Sequence, residues 1–596
     1  MKIPYGNADF ADIRRRGMFY VDKTPFLAEL ENDELGYKFL IFLRPRRFGK
    51  SSLVSLLENY YGMHRVNEFD ELFRGLWVHE HPTPEKNKYL ILTLDFSQMG
   101  AGGGSRERLE ESFLDAMRSS VKTLCLRHRD RFPELGKMYS ELMIYKSATG
   151  MLADLLGIAA GLGEQIYILI DEYDTFANDL LSAGNVDLYA AVTDKAGFVR
   201  EFYRAIKVGT RSGAVGRLFV TGATPILLDD LMTGFNIVTN ISNRARFNAL
   251  VGFTRADVER AVDELLASRP ELSAVEGIGD RAKLLEVLEQ YYDGYRFSPM
   301  ATERVFNSDL VLHFLRDLAD LGAYPTQMLD PNARTDYRKL HALWATAGKA
   351  PEERRQVLET VLNENHVWSD LVEQFGRKTI STTSQFVSLM YYTGMLTLST
   401  DPPEGILVRF ETPNRVIREL GWEHYAQLLQ DLEGVDLTGQ PVSVALRTMA
   451  KTGDIGPLLD VLRENVLKVL GLKDLRRYNE KSMKMLLIGA IVPTGMFYVL
   501  SEKEFAQGYT DLFLSPMPQL PNGKYAWIIE LKYLQATATE AHVRAAVDEA
   551  EGQLRKYSSD AQLLPMLTRG LELKAGTLVF VGCKDVQWWP FTAPRD

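Results

Sequence analysis

The sequence predicts an α/β multidomain chain, and three observations carry that reading. Its 596 residues exceed what one core organises, at roughly 150 residues per domain. In the first 250 residues, short runs that are apolar throughout alternate with helix-spaced stretches, the pattern of a parallel sheet covered on both faces. The last 130 residues have a separate α-β-β-β-α-β rhythm. Apolar residues make up 46% and charged residues 25%, the proportions of a folded protein, which excludes disorder as the main state. The net charge is -10, with 69 basic against 79 acidic residues. No global positive field advertises nucleic acid or an anionic membrane, so any polyanion must meet a local patch.

Taken in order, Tyr37 to Leu43 (YKFLIFL) reads as a strand, Arg44 to Ser52 as a loop, and the spacing of Leu53, Leu56, Leu57 and Tyr60 as a helix. Further buried strands are expected at Tyr89 to Phe96, at Ile166 to Ile170 and at Arg217 to Thr221. These define a first domain over residues 1–250. From Gly252-Phe253-Thr254 the pattern turns helical, with Thr254 as N-cap before Val258, Val262, Leu265 and Leu266, which predicts a helical lid over residues 251–329. Residues 330–460 read as helices, the apolar run Phe386 to Met390, and one hairpin around Pro402-Pro403-Glu404-Gly405, a winged-helix-like middle region. Residues 461–596 carry a helix (Leu475 to Ile491) and strands at Met496 to Leu500, Tyr509 to Leu514 and Tyr525 to Lys532. A helix (Thr539 to Tyr557) and a strand (Thr577 to Val581) complete that set. Gly100 to Ser105 is expected to be a flexible loop, because no helix-starting Lys-Ser follows it.

Two cysteines, Cys125 and Cys583, are too few for a disulfide framework or a cysteine zinc site, and fit a reducing cytoplasm. The first nine residues have no apolar core of a secretory signal. The longest uncharged apolar run, Met485 to Leu500, is 16 residues and includes Pro493-Thr494-Gly495, short of a membrane span. A cytoplasmic protein with no membrane partner is the expectation.

Two constellations carry chemistry. A nucleoside triphosphate requires backbone N–H groups at a helix N-terminus, a lysine for the outer phosphates and a hydroxyl for magnesium. Arg47, Phe48, Gly49, Lys50, Ser51 and Ser52, following an apolar strand, supply those parts, although the first glycine of the usual phosphate-loop pattern falls at Arg44. Asp171 at the end of a later strand is placed for the magnesium shell together with Ser51, and Glu172 to polarise an attacking water. Thr221 ends a further strand, placed to sense the γ-phosphate, and Arg244 or Arg246 are candidate arginine fingers. The plainer alternatives are a surface turn capped by Lys50 and solvated strand-end carboxylates. The motif order, loop upstream and Asp-Glu downstream, favours nucleotide.

In the C-terminal set, Asp511 lies on one strand, and Glu530 and Lys532 lie two apart on the next, hence on one face. Metal-dependent phosphodiester hydrolysis requires such a set: Asp511 and Glu530 to fix Mg or Mn, Lys532 to activate water and stabilise the charged transition state. Glu480 on the preceding helix is a further carboxylate, and Gln553 on the following helix a group to orient substrate or water. An isolated Glu-x-Lys is commonly a cross-strand charge pair; the surrounding element order is what favours chemistry. The helix Gly471 to Lys484, with Lys473, Arg476, Arg477, Lys481 and Lys484 against Asp474 and Glu480, carries net +3, equally a phosphate-binding patch or a solvated face.

Together these residues resemble a bacterial family in which a AAA-ATPase-like domain is joined to a PD-(D/E)XK nuclease-superfamily domain. The resemblance rests on Tyr20-Val21-Asp22-Lys23-Thr24, Leu43 to Ser51, Ile170 to Asp174, Phe219-Val220-Thr221-Gly222 and Gly252-Phe253-Thr254. It continues through Tyr292 to Phe297, Pro413-Asn414, Asp511 and Glu530-Leu531-Lys532. It implies a P-loop NTPase sheet with a helical lid and a restriction-endonuclease-like αβββαβ core, and it makes the glycine-poor loop at Arg44 a family trait. Tyr509-Thr510 stands where similar proteins often carry Gly-Arg, so one DNA-facing arginine is missing. The implied function is an ATP-binding and ATP-hydrolysing, Mg- or Mn-dependent nuclease on nucleic acid, DNA before RNA, with ATP state gating the nuclease site. A homo-oligomer with an arginine finger in trans is compatible with the AAA resemblance. The alternative is a nucleotide-switched scaffold or protein-remodelling ATPase with a silent nuclease fold.

Overall fold

The computed structural model describes residues 1–99, 104–194, 197–228, 236–275, 278–325, 327–335, 337, 351–374, 382–471, 478–505, 508–517, 520–558 and 570–592. The chain divides into two compact units, Met1–Ala350 with His366–Ile417, and Pro351–Asn365 with Arg418–Asp596.

In the first unit, β1 (Phe39–Leu43), β2 (Leu90–Asp95), β3 (Ile166–Asp171), β4 (Val215–Gly222) and β5 (Thr239–Asn240) form a parallel sheet in the order β2-β3-β4-β1-β5. Every residue of β3 is buried, as a central strand covered on both faces requires. The covering helices include Lys50–Tyr61, Arg106–His128, Ala148–Leu162 and Phe198–Arg211. Phe198–Arg211 buries Phe198, Val199, Phe202, Tyr203 and Ile206, a stripe at helical spacing. Ser105 and Ser147 cap the helices that follow them, accepting from the Arg108 and Gly150 N–H groups. The strand order sets the carboxyl ends of β3, β4 and β1 side by side, with Leu43 opposite Gly222. Ligands of open α/β sheets bind at such ends.

Helices Arg255–Ser268, Arg281–Tyr292 and Ser308–Leu321 follow, as the helical pattern predicts. Thr254 caps the first through a reciprocal pair with Asp257. Gly294, at φ 100°, brings its Cα so close to Pro413 that a Cβ would lie 2.0 Å from the Pro413 carbonyl oxygen. Asn414 Nδ2 donates to the Asp293 carbonyl at 2.8 Å, so two motifs far apart in sequence close on each other. The hairpin expected around Pro402 to Gly405 is present as β7 (Thr397–Leu398) and β8 (Leu407–Glu411), with β6 (His366–Asp370) added on the other side of β8. Phe386 to Met390 lies within the helix Thr383–Tyr392.

The second unit contains β9 (Phe497–Phe505), β10 (Gly508–Pro516), β11 (Tyr525–Leu534), β12 (Glu572–Val581) and β13 (Asp585–Phe591), ordered β13-β12-β11-β10-β9. Only β11 and β12 are parallel, and the helix Glu540–Ser558 connects them in sequence. It packs Val543, Val547 and Leu554 onto the sheet, against Val579 for the first two and against Phe513, Ala526 and Ile528 for the last. The helix Glu480–Ile491 precedes β9, so the α-β-β-β-α-β order holds, extended by β13 at the sheet edge. Lys473, Asp474, Arg476 and Arg477 of the basic stretch lie outside the described residues, as do residues 100–103 of the glycine tract. Among the described residues no helix is long and apolar enough to cross a membrane, and both cysteines are free and buried.

Candidate functional site

β1 delivers the loop Arg44 to Gly49 to the N-terminus of the helix Lys50–Tyr61. Gly49 is the N-cap at φ 93°, a left-handed conformation that glycine adopts without Cβ strain. Around this helix start lies a cleft of about 510 Å³, lined by Arg46, Arg47, Gly49, Lys50, Ser51, Ser52, Glu172 and Ser308 among others. Cationic side chains and helix N–H groups facing one cavity suit a polyphosphate. Lys50 is buried, and its Nζ donates to the Arg44 and Pro45 carbonyls, each at 3.0 Å. Burial lowers the Lys50 value, against the raising effect of Glu172, Asp171 and Asp174.

Arg44 is 1% exposed. Its guanidinium donates to the carbonyls of Leu43, Ser242 and Phe247 at 2.7 to 2.9 Å and stacks between Phe42 and Phe297 at 4.4 and 4.1 Å. Burial lowers it to about 9. The residue at the first-glycine position is therefore a pillar beneath the loop. Phe48 is likewise a wedge, its ring edge-on to Tyr295 and Phe297 at 4.8 and 5.3 Å. It also lines a narrow, mostly apolar slot of about 100 Å³ with Val21, Leu53, Leu250, Val251 and Leu312. Pro4, Asn7, Gly49, Ser52, Ser308 and Leu312 border both slot and cleft, so the two adjoin.

Asp171 closes β3, and its Oδ1 accepts from the Thr221 hydroxyl at the end of β4 and from the Glu172 N–H at 3.0 Å. Thr221 is thus brought to Asp171 as a positioning partner. Glu172 Oε2 accepts from Thr175 Oγ1 at 3.0 Å. Burial raises the Glu172 carboxyl, opposed by the charges of Lys50 and Arg46. Five described non-glycine residues have left-handed backbone, and three are asparagines, which tolerate it. The other two are Arg47 (φ 68°) and Glu172 (φ 52°), both lining this cleft. Such conformations concentrate at working sites, where surrounding structure holds them. Arg47 is held by Asp309, which Arg47 meets at 2.7 Å. Ser51 is exposed in the first helical turn. Arg244 and Arg246 are exposed and outside the cleft lining, with Arg246 paired to Glu29 at 3.0 Å.

Two groups here were beyond sequence reasoning. Asp174 is 1% exposed and accepts from Ala223 N–H, Thr224 N–H, Thr224 Oγ1 and Asn178 Nδ2 at 2.7 to 3.1 Å, stapling the end of β3 to the chain after β4. Its signal was its place in the motif Ile170 to Asp174, which names the residue but not what it bonds. The N-terminal residues Pro4, Gly6, Asn7 and Ala8 border the cleft, with Tyr5 between them anchored by its hydroxyl, which donates to Asp330, and by Arg316 stacked on its ring at 4.0 Å.

The C-terminal site lies on β10 and β11. Leu512 pairs with Ile529 and Phe513 with Ile528, a register that brings Asp511 opposite Glu530. The Leu531 N–H donates to Asp511 Oδ2 at 2.9 Å, and the Asp511 N–H to Glu530 Oε1 at 3.4 Å. Glu530 is 3% exposed, and burial followed by the charge of Asp511 pushes its carboxyl well above the usual range. Glu480 is raised by burial and by Asp511, with Lys532 and Lys484 opposing. Two carboxylates crowded in a poorly hydrated space are a hard-oxygen donor set that fits Mg or Mn, whose remaining positions water and phosphate oxygens fill. Among the described residues no three carboxylate, imidazole or thiolate groups converge as a ready-made cage.

Lys532 Nζ bonds Glu549 Oε1 at 2.9 Å. Burial lowers this lysine, but the hydrogen bond and charge of Glu549, with Glu480 and Asp511, leave it above its ordinary value. Glu549 was not foreseen; its signal is its place one turn before Gln553 on the same helix face. Gln553 Oε1 is buried with no hydrogen-bond partner. Lys484, read only as part of a basic stretch, is buried with Nζ 3.8 Å from Asp511 Oδ1.

Comparison with known proteins finds a domain family over each of two stretches of the chain. A family described as predicted AAA-ATPase matches residues 4–232, and the PD-(D/E)XK nuclease superfamily matches residues 478–585. An uncharacterized protein in the vnfD 5′ region of Azotobacter chroococcum mcd 1 is 28% identical over 317 residues, which are 52% of this chain and 52% of that protein. The chain thus matches about half the length of that curated relative. Cdc6p from Pyrobaculum aerophilum overlaps 69% of this chain and 93% of its own, at 12% identity and a TM-score of 0.23, too slight a likeness to bear on the reading.

Proposed function

Because the chain carries a predicted AAA-ATPase domain and a PD-(D/E)XK nuclease superfamily domain, we propose that it is an ATP-hydrolysing, divalent-metal-dependent nuclease of nucleic acid, DNA before RNA, whose cutting responds to ATP state. The observation that carries this reading is the meeting of Asp511 and Glu530 across β10 and β11, with Lys532 two residues on along β11.

At the first site the phosphates lie against Arg46, Arg47, Lys50 and the N–H groups of the helix Lys50–Tyr61, and the base enters the apolar slot beside Phe48. Lys50 exchanges two carbonyls of its own loop for phosphate oxygens. Ser51 and Asp171 are the groups to hold magnesium. Glu172 takes the proton of the attacking water, aided by the burial that raises its carboxyl. ATP state passes to residues 251–321 through Arg47 and Phe48, both bonded or packed to that segment.

At the second site Asp511 and Glu530 would hold the metal, which would supply charge neutralisation at the scissile phosphate and an acidified water. Lys532, once it leaves Glu549, orients the attacking water, and the unpartnered Gln553 Oε1 accepts from water or substrate. The Lys532–Glu549 pair is also the observation that favours the second reading, a nucleotide-switched scaffold with a silent nuclease fold. Phosphate release from ATP and cutting of nucleic acid, assayed with Mg or Mn on wild type and Lys532→Ala, separate them. ATP turnover without cutting at any metal concentration supports the scaffold.

A further inference from the structure

Resting on the nuclease reading and deepening it, we propose that the C-terminal site takes one divalent ion and that Lys484 supplies its second positive charge. Lys484 stands one turn after Glu480 on the helix Glu480–Ile491, so both project from one face. Its side chain is 8% exposed, and its Nζ lies 3.8 Å from Asp511 Oδ1 while Asp511 Oδ2 is taken by the Leu531 N–H. A buried ammonium is costly unless anions compensate it, and Asp511, a metal-binding carboxylate, is one such anion. Lys532, by contrast, is held by Glu549, a carboxylate 67% exposed.

The ligand set supports a single ion. Two-metal sites hold their ions roughly 3.5–4 Å apart and need several carboxylates to do so. Among the described residues Asp511 and Glu530 are not joined by a third converging ligand. Asp511, Glu530, Glu480, Glu549 and one phosphodiester carry five negative charges, against which Lys484, Lys532 and one divalent ion set four. Lys484 therefore takes the role of the second ion: it neutralises Asp511 and the phosphate as charge develops, and it repels the cation at rest.

Loss of the ammonium accordingly has a signature that loss of structure does not. Mn binding to the full-length, nucleotide-free chain, followed by the electron paramagnetic resonance of free Mn, is compared for wild type, Asp511→Asn, Lys484→Gln and Lys484→Arg, with cutting of DNA and RNA measured in parallel. Wild type should bind one Mn that Asp511→Asn loses. Lys484→Gln should bind Mn at least threefold tighter and cut at least tenfold slower, with Lys484→Arg within threefold of wild type in both. Should Lys484→Gln not fold, Lys484→Met keeps the packed stem and carries the same expectation. Two Mn ions lost together in Asp511→Asn, or Mn affinity unchanged or weaker without the Lys484 charge, overturns the proposal. If wild type cuts nothing while Lys484→Gln tightens Mn, the nuclease reading fails and Lys484 stands as a charge of the site.

Discussion

Arg47 and Asp309 are joined twice: guanidinium to carboxylate at 2.7 Å, and the Asp309 N–H to the Arg47 carbonyl at 3.3 Å. The link holds a non-glycine residue in left-handed backbone and ties the phosphate loop to the start of the helix Ser308–Leu321. A phosphate competing for the Arg47 guanidinium must loosen it. In wild type, ATP is expected to change amide hydrogen exchange over the first turn of that helix, and Asp309→Asn to abolish the change. An ATP response equal in both proteins counts against this route.

Lys50 and Glu172 divide binding from chemistry. Lys50→Ala removes the cation for the outer phosphates, so ATP affinity should fall at least about tenfold, roughly 1.4 kcal/mol. Glu172→Gln keeps the shape and loses the base: ATP affinity near wild type, with turnover down by about 10² to 10⁴. Calorimetric binding and phosphate release check the split.

Arg44 gives a prediction against the motif. Restoring the usual glycine with Arg44→Gly removes the donor to three buried carbonyls and the cation between Phe42 and Phe297. Each orphaned buried group costs about 1–3 kcal/mol, so the variant should unfold at a markedly lower temperature and bind ATP no better. Tighter ATP binding in Arg44→Gly would show that the arginine only obstructs the loop.

Glu530 sets a pH dependence. Its carboxyl is raised in the fold, so the folded chain keeps this proton at pH values where the unfolded chain has lost it. Stability of the metal-free protein then falls as pH rises above the ordinary glutamate value near 4.5. In chelator, wild type should melt lower at pH 8 than at pH 6, Glu530→Gln should lose part of that difference, and Mn should restore wild type at pH 8. A pH dependence identical in Glu530→Gln contradicts the raised carboxyl.

Much of the framework was legible because burial writes itself into composition. The runs at Phe39, Leu90, Ile166 and Val215 are largely apolar on both faces, as central parallel strands must be, and the shared face of Glu530 and Lys532 on β11 follows from the two-residue period of strands. β13 was not, since Pro590 cannot donate to a ladder and survives only where the sheet ends. β5 and β6 are short and carry little apolar pattern. Arg44 was legible as a departure but not as a pillar, because its partners Ser242 and Phe247 lie about 200 residues away. The same holds for Glu549 on Lys532 and Lys484 on Asp511: helical spacing aligns Glu549 with Gln553, but which strand residue a docked helix pairs with is not written in local spacing.

The measurement closest to the central claim is cleavage of a mixed DNA and RNA panel with Mg or Mn, with and without ATP, by wild type beside Lys532→Ala and Lys50→Ala. The expected result is metal-dependent cutting by wild type, none by Lys532→Ala, and an ATP response that Lys50→Ala loses. ATP hydrolysis with no cutting of any substrate, or cutting that survives in Lys532→Ala, contradicts it.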